Sequence, residues 1–217
     1  MNGLPALSDL VVNPDMELAR ALYELVLVPA FPPDELESWD TLRSCLLADH
    51  NEPGNAFATV LLDATDSAPI AGTVSYWYPQ SRTWLLGYLA VDSRYRRRGV
   101  APCLIADTVN RWAASDETLL GVAEMENPCC FPDEAAKSRA RMYIRVHGRV
   151  LATDFVQPRV DPDKDRVSGM LLVCLYAAPE ALVGDQSATV RSGLTHAFIA
   201  EYFQVAEGSG QPTETAS

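Results

Sequence analysis

The sequence has few of the residues that build metal sites or disulfide frameworks. Its 217 residues include three widely separated histidines and five cysteines, with no C-x-x-C pair. Histidines placed in this way predict no metal site. An odd, unpatterned set of cysteines is typical of reduced thiols in a cytosol. We therefore expect a cytoplasmic protein that holds no metal.

Long apolar runs and an excess of positive charge are also missing. No run approaches the roughly 18–20 residues that a membrane-spanning helix needs, and the first residues lack the basic segment and apolar core of a secretion signal. The formal net charge is −12, whereas a nucleic-acid binder needs a positive surface for phosphates. The sequence thus predicts neither a membrane nor a nucleic-acid partner. Its acidity fits a cationic small-molecule partner, and it fits simple solubility as well.

The order of apolar patterns predicts one α+β, or mixed α/β, domain. Two helices are expected first, over residues 18–26 and then from Pro33 to about residue 46, with Pro33 in the first turn. Antiparallel strands are expected over residues 56–62, 70–78 and 83–91. The pattern then predicts helix 99–114, strand 119–124, helix 134–147, strands 150–156 and 170–176, and a helix around 190–202. Residues 1–206 form the expected domain, and residues 207–217, rich in Gly, Ser, Thr and Pro, are expected to be a disordered tail.

The most informative stretch leads from the strand over residues 83–91 through a basic loop into a helix. The loop carries four arginines among five residues, at positions 94 and 96–98, and Gly99 follows them. Such a loop aims backbone N–H groups, and the positive end of the helix, into one concavity that binds a pyrophosphate. Gly99 lets the backbone approach an anion closely. An exposed charged turn has the same composition, so the residues alone leave both interpretations open.

A family resemblance appears in this stretch. The segment RRRGVA over residues 96–101 resembles the [Q/R]-x-x-G-x-[G/A] coenzyme A loop of the GNAT superfamily of acyl-CoA-dependent N-acetyltransferases. The sequence LAVDSRYR leads into it as it does in such enzymes. ALYELVLVPAFPPDEL over residues 21–36 and VQP over residues 156–158 are similar to a bacterial subgroup of unassigned substrate.

The resemblance implies a fold and a coenzyme site. The fold is a mixed, mostly antiparallel central sheet flanked by helices, with a V-shaped splay between the fourth and fifth strands that admits acetyl-CoA. Amides of the loop would bind the pyrophosphate, and the backbone of the preceding strand would pair with the pantetheine arm. The implied coenzyme contacts are Leu89, Ala90, Val91, Arg96, Arg97, Arg98, Gly99, Val100 and Ala101.

The resemblance also implies direct attack of an amine on the thioester. Tyr143, in a segment similar to the family's Tyr-x-x-apolar motif, would protonate the departing thiolate; a tyrosine on a buried helix face is the alternative. The family commonly has Gly where this chain has His147, so Gly148 is expected to cap the helix instead. Glu124 is the candidate base and Glu126 a candidate substrate ligand. Both would share a strand face with Leu120 and Val122, unless the strand has ended and they are solvated.

The sequence therefore predicts acetyl transfer to a small, cationic amine. A longer acyl-CoA or an acyl carrier protein as donor stays open, as does a non-catalytic acyl-CoA-binding protein. A nucleic-acid-binding role for the arginines is the weakest alternative. The sequence identifies neither the acceptor nor a role for Cys129 and Cys130. A homodimer through exposed strands and the last helix also stays open.

Overall fold

A computed structural model describes residues 9–184 and 189–208 of the chain. Its eight strands form one sheet in the order β1-β2-β3-β4-β5-β8-β6, with β7 also paired to β8. All neighbours are antiparallel except β4 and β5, which are parallel. The strands are β1 (Leu10–Val12), β2 (Asn55–Leu62), β3 (Pro69–Tyr78), β4 (Thr83–Val91), β5 (Leu120–Glu126), β6 (Arg149–Val150), β7 (Phe155–Gln157) and β8 (Val167–Ala177).

Helices cover both faces of the sheet. One face is buried under α1, α2 and α5, and the other under α3 and α4. The helices are α1 (Met16–Leu22), α2 (Trp39–Leu47), α3 (Val100–Ala113), α4 (Glu134–Arg145) and α5 (Ser192–Glu207). This mixed, mostly antiparallel sheet between helices confirms the predicted fold class.

The first two helices differ from the prediction. α1 continues into a π-helical turn, Tyr23–Leu27, which buries Val26 and Leu27 against the sheet. α2 begins only at Trp39, because the side chain of Ser38 accepts a hydrogen bond from the amide of Thr41 at 3.2 Å and so caps the helix. Pro33 therefore lies in the turns before α2 and not in its first turn, so that prediction is wrong.

Two other elements differ from expectation. The strand expected over residues 150–156 is broken into β6 and β7, because the amide of Thr153 turns back to the carbonyl of Leu151 at 2.9 Å instead of joining the ladder. The short strand β1 was not predicted. α5 extends to Glu207, which therefore does not belong to the expected tail; residues 209–217 lie outside the described part of the chain.

Within the described residues, no helix is both long enough and apolar enough to cross a membrane.

Candidate active site

β4 and β5 separate halfway along their length. They pair in parallel from Thr83 and Leu120 to Leu86 and Ala123, and beyond that point β4 pairs only with β3 and β5 only with β8. The register of β3 against β4 shifts beside Gly87, where a Cβ would lie 2.5 Å from the ring of Tyr76. A bulge at this place bends its strand away from the neighbour. The separation leaves one backbone edge of residues 89–91 without a strand partner among the described residues.

The loop after β4 has two left-handed residues and a run of backbone amides that are unpaired within the described part of the chain. Arg97 and Gly99 both have left-handed backbones, with φ of 62° and 81°. Among the described residues, no backbone carbonyl accepts a hydrogen bond from the amides of residues 97–101. The first turn of any helix leaves such amides without internal partners. Unpaired amides beside the positive end of a helix, here α3, are an arrangement that can bind an anion.

Gly99 borders open space. A Cβ built on this residue meets no atom within 4 Å, unlike those built on Gly72, Gly87 or Gly121. The glycine is therefore required by its positive φ and not by crowding from the protein. The room in front of it is what a phosphate approaching the amides would need, so the residues present fit a coenzyme pyrophosphate.

The arginines of the loop play different roles. Arg94 is bound to Asp92 at 2.8 Å, and the Nε of Arg96 donates to the carbonyl of Val91 at 2.9 Å. These contacts hold the loop in shape. Arg97 and Arg98 are exposed, although the Arg98 guanidinium lies 5.4 Å from the ring centroid of Tyr95. Among the four arginines, Arg97 and Arg98 therefore form no ion pair or side-chain hydrogen bond with the described residues.

A cleft of about 430 Å³ opens on the sheet face that carries α2 and α5. Its walls come from the turns before α2, from β3 to β5, from the loop after β7 and from α5. Acidic groups outnumber basic ones along these walls. The charged lining residues are Glu35, Glu37, Glu124, Glu126, Asp161, Arg139 and Arg159.

Glu124 lies in the cleft where β4 and β5 separate. It follows Ala123, the last residue of β5 that pairs with β4. It shares the sheet face of Leu120 and Val122, as the alternation predicts. Its Oε2 accepts hydrogen bonds from Gln157 and Tyr202, whereas its Oε1 is buried without a partner among the described residues. Burial raises the pKa of this carboxyl to about 7, and the bonds from Gln157 and Tyr202 oppose that rise.

Glu126 also lines the cleft, but its carboxylate is already paired. It forms an ion pair with Arg139 of α4, which covers the end of β5. An acceptor would therefore meet an arginine–glutamate pair here and not a free carboxylate. Its assignment as a substrate ligand stays a prediction.

Tyr143 lies on the opposite face of the sheet from Glu124. It belongs to a buried cluster with Leu86 and Ala123, the residues at which the pairing of β4 with β5 ends. Burial raises its pKa above the ordinary value, and the charge of Glu124 adds to this rise. Its hydroxyl makes no hydrogen bond to any residue in the described ranges. Tyr143 and Glu124 thus flank the separation point from two sides.

The backbone at the end of α4 fixes the position of Tyr143. His147 adopts the left-handed conformation, with φ of 62°, and the next amide, that of Gly148, donates to the carbonyl of Tyr143 at 2.8 Å. The left-handed position expected for glycine is therefore occupied by histidine. Gly148 is needed for a different reason, because a Cβ there would lie 2.9 Å from the side chain of Val173.

Sequence reasoning missed Glu37 and the groups around it. Glu37 is 5% exposed, and its carboxylate accepts a hydrogen bond from Tyr76. Burial, together with the charge of Asp161, raises its pKa to about 8. Glu37 follows two prolines in a stretch that resembled a helix, and its partners lie in distant strands, so no local signal identified it.

The two adjacent cysteines lie in an exposed loop beyond β5. The amide of Cys129 donates to the side chain of Asn127, and Cys130 packs near Gly169 of β8. Neither lines the cleft. Among residues 9–184 and 189–208, no group of three or more His, Cys, Asp or Glu side chains is placed to hold a metal ion.

Comparison with known proteins identifies the family. The model of the acetyltransferase (GNAT) family matches residues 19–128, which is half of the chain. A protein from Bacteroides thetaiotaomicron assigned to the GNAT acetyltransferases has 23% identity and a TM-score of 0.54, over 75% of this chain and 83% of its own. The ribosomal-protein-S18-alanine N-acetyltransferase of Escherichia coli has 14% identity and a TM-score of 0.50, over 82% and 98%.

A third similar structure is the diaminobutyrate acetyltransferase of Paenibacillus lautus, with 16% identity and a TM-score of 0.51, over 81% of this chain and 99% of its own. At these identities the solved structures show a common fold and nothing more about the substrate. No curated protein gives a significant sequence match.

Proposed function

This chain belongs to the acetyltransferase (GNAT) family and is an N-acetyltransferase, and we propose that it transfers an acetyl group from acetyl-CoA to the amine of a small, cationic acceptor. Family membership gives acyl transfer from coenzyme A to an amine. The donor contacts, the residues that move protons and the kind of acceptor are argued from the geometry.

The donor side uses the loop after β4. The amides of residues 97–101 would bind the pyrophosphate, with the exposed Arg97 and Arg98 adding positive charge beside it. The free edge of β4 at Leu89, Ala90 and Val91 would pair with the pantetheine arm, which follows the strand toward the separation point. When bound there, acetyl-CoA supplies the reactive thioester between Glu124 and Tyr143.

The two flanking residues have complementary tasks. Glu124 accepts a proton from the acceptor's ammonium group, directly or through a water, and so frees the lone pair that attacks the thioester carbonyl. As the carbon–sulfur bond breaks, Tyr143 donates its phenolic proton to the leaving thiolate, and the attacking nitrogen loses its second proton to solvent to give the amide. Tyr143 later regains a proton from solvent. A carboxyl with a pKa near neutrality suits the first task, and a phenol kept neutral by burial suits the second. Holding both reactants in the correct geometry also lowers the activation free energy, by about 7–11 kcal/mol in favourable cases.

The acceptor side favours a cation. The observation that carries this proposal is the buried Oε1 of Glu124, which has no hydrogen-bond partner among the described residues at the bottom of an acidic cleft. A buried carboxylate oxygen without a partner is costly, and an ammonium group would supply the missing donor.

The proposal is tested by calorimetric titration with acetyl-CoA, followed by thiol release in the presence of amines. Micromolar binding of acetyl-CoA and of coenzyme A, but not of ATP, together with amine-dependent thiol release, would support it. Binding only of longer acyl-CoAs, or thiol release only with an acyl carrier protein, would replace acetyl-CoA as the donor. Acetyl-CoA binding without thiol release for any amine would favour a non-catalytic acyl-CoA-binding protein.

A further inference from the structure

We propose that the acceptor carries a second cationic group that does not react, and that Glu37 holds this group within a box of aromatic rings from Phe31, Tyr76 and Tyr88. The inference rests on the proposed function and specifies its substrate class as α,ω-diamines and similar dications.

The aromatic box lines the same cleft as Glu124. The ring of Phe31 meets that of Tyr88 edge to face, with centroids 5.2 Å apart, and Tyr76 meets Tyr88 at 6.4 Å and an interplanar angle of 69°. All three residues line the cleft, so each ring borders the space that an acceptor would enter. Aromatic faces attract ammonium groups through their quadrupole, and they do so more strongly where water is excluded.

Glu37 is fixed beside these rings. Its carboxylate accepts a hydrogen bond from Tyr76, its amide donates to the hydroxyl of Tyr88 at 3.1 Å, and its carbonyl accepts from Tyr23 at 2.9 Å. Only one carboxylate oxygen is used in this way. The other accepts no hydrogen bond from the described residues and, unlike Oε1 of Glu124, is not fully buried, so a ligand can reach it although the residue as a whole is 5% exposed. The side chain also lines the cleft. A nearly buried carboxylate with one free oxygen points to a bound donor.

A second carboxylate lies close by. Asp161, in the loop after β7, accepts hydrogen bonds from the amide of Ser38 and the hydroxyl of Thr41, both at 2.7 Å. Its charge raises the pKa of Glu37, so the two groups interact across the cleft wall. An ammonium group bound near Glu37 would relieve this repulsion, whereas a neutral acceptor would leave it in place.

Binding of the second cation should therefore release a proton. Burial and the charge of Asp161 raise the pKa of Glu37 to about 8 in the free protein. Lys164 lines a second, neighbouring pocket that Glu37 also borders, and the other groups around Glu37 are acidic or neutral. These groups are Tyr23 of the π-helical turn, Cys45 of α2, Tyr76 of β3, Tyr88 of β4 and Asp161. A bound ammonium lowers that pKa toward its ordinary value, because an opposite charge favours the ionised form. Diamine affinity should thus rise as the pH rises from about 6 to about 8.

The reacting amine and the second cation would occupy the two ends of one molecule. Tyr88 and both carboxylates line the same cleft, and the charges of Glu37 and Glu124 both raise the pKa of Tyr88. A diamine whose length matches the separation of the two carboxylates would bind with its reacting end at Glu124 and its other end at Glu37. A monoamine of the same chain length would leave Glu37 without a partner.

The test compares putrescine with butylamine, and cadaverine with pentylamine, as acceptors in the thiol-release assay. We expect kcat/KM to be at least about tenfold higher for each diamine, which is the size of a charge-assisted hydrogen bond. Glu37→Gln should lower the diamine-to-monoamine ratio by about tenfold through KM. Glu180→Gln, which removes one exposed carboxylate outside the cleft, is the matched control and should leave the ratio unchanged.

A second variant and a binding measurement keep the test decisive. Phe31→Leu removes one wall of the box and should also lower the ratio, so the test does not depend on the folding of Glu37→Gln. Titration of the wild-type protein with putrescine in buffers of different ionisation enthalpy should show proton release that butylamine does not cause. Equal use of diamines and monoamines by an active enzyme would overturn this inference alone. Thiol release that is equally fast without any amine would instead overturn the proposed function, because no amine would then be the acceptor.

Discussion

Gln157 Nε2 donates a hydrogen bond to Glu124 Oε2 at 2.9 Å, and this contact joins the short strand β7 to the end of β5. Tyr202 of α5 approaches the same oxygen at 3.4 Å. One oxygen of the carboxylate is thereby fixed from two elements, while the other is left for the acceptor. The orientation of Glu124 thus depends on residues far from it in the chain.

Glu124→Gln should abolish the pH dependence that belongs to the base. Glu124 accepts a proton only when ionised, so in the wild type kcat/KM should rise with pH through about 7. The amide keeps the shape and loses basicity, and we expect kcat to fall about 10²–10⁴-fold. Rates of thiol release across the neutral range measure both effects. Glu37→Gln, which leaves Glu124 ionisable, should retain the rise near pH 7; retention of that rise by Glu124→Gln would assign it to another group.

Tyr143→Phe should slow turnover without weakening coenzyme binding. The hydroxyl makes no hydrogen bond with the described residues, so its loss removes a proton donor and little packing. We expect kcat to fall about 10²–10⁴-fold, with coenzyme A affinity within about twofold by calorimetry. Tyr176→Phe, in the same cluster, is the control and should keep normal turnover. Unchanged turnover in Tyr143→Phe would mean that a water or another group protonates the thiolate.

Gly99→Ala should weaken coenzyme binding by more than its strain alone explains. An added Cβ at φ 81° costs about 1–2 kcal/mol of folding stability and projects into the open space before the amides. Gly208→Ala is a matched control, because Gly208 has φ 65° and equally open surroundings at the end of α5. Calorimetry with coenzyme A should show weaker binding only for Gly99→Ala. Equal coenzyme A affinity of the two variants would show that this loop does not bind the pyrophosphate.

Stability should fall as the pH rises through the neutral range, and removal of the buried carboxyls should lessen that fall. Burial raises the pKa values of Glu37 and Glu124 to about 8 and about 7, so the folded state binds protons that the unfolded state has released. The stability they contribute is present below about pH 4.5 and is lost toward pH 8.

The Glu37→Gln and Glu124→Gln variants should therefore melt about 2–6 °C above the wild type at about pH 8. The difference should shrink at about pH 5, where the wild-type carboxyls are protonated as well. Thermal unfolding followed by circular dichroism at the two pH values measures this. A constant difference at both would mean that packing and not protonation separates the variants.

The sequence predicts features that depend on neighbouring residues, and it misses a site whose residues are far apart in the chain. The bounds of β4 and the position of Gly99 follow from one continuous stretch in which strand, loop and helix are adjacent. The face of Glu124 follows from simple alternation along β5. Glu37, in contrast, obtains its environment from a π-helical turn and two strands that come later in the chain. No periodicity encodes such a meeting of distant residues.

The loop over residues 158–166 forms part of the cleft wall, and hydrogen bonds attach it both to the end of α5 and to the start of α2. Glu207, the last residue of α5, accepts hydrogen bonds from the amide of Arg159 at 3.0 Å and from Arg166 Nε at 2.9 Å, while Asp161 binds the start of α2. The family match ends at residue 128, before this loop and before α5. A chain shortened just ahead of Glu207 would keep its donor loop but release this wall to solvent. Such a protein should bind acetyl-CoA normally but hydrolyse its thioester, because water would reach the thioester in place of the acceptor amine.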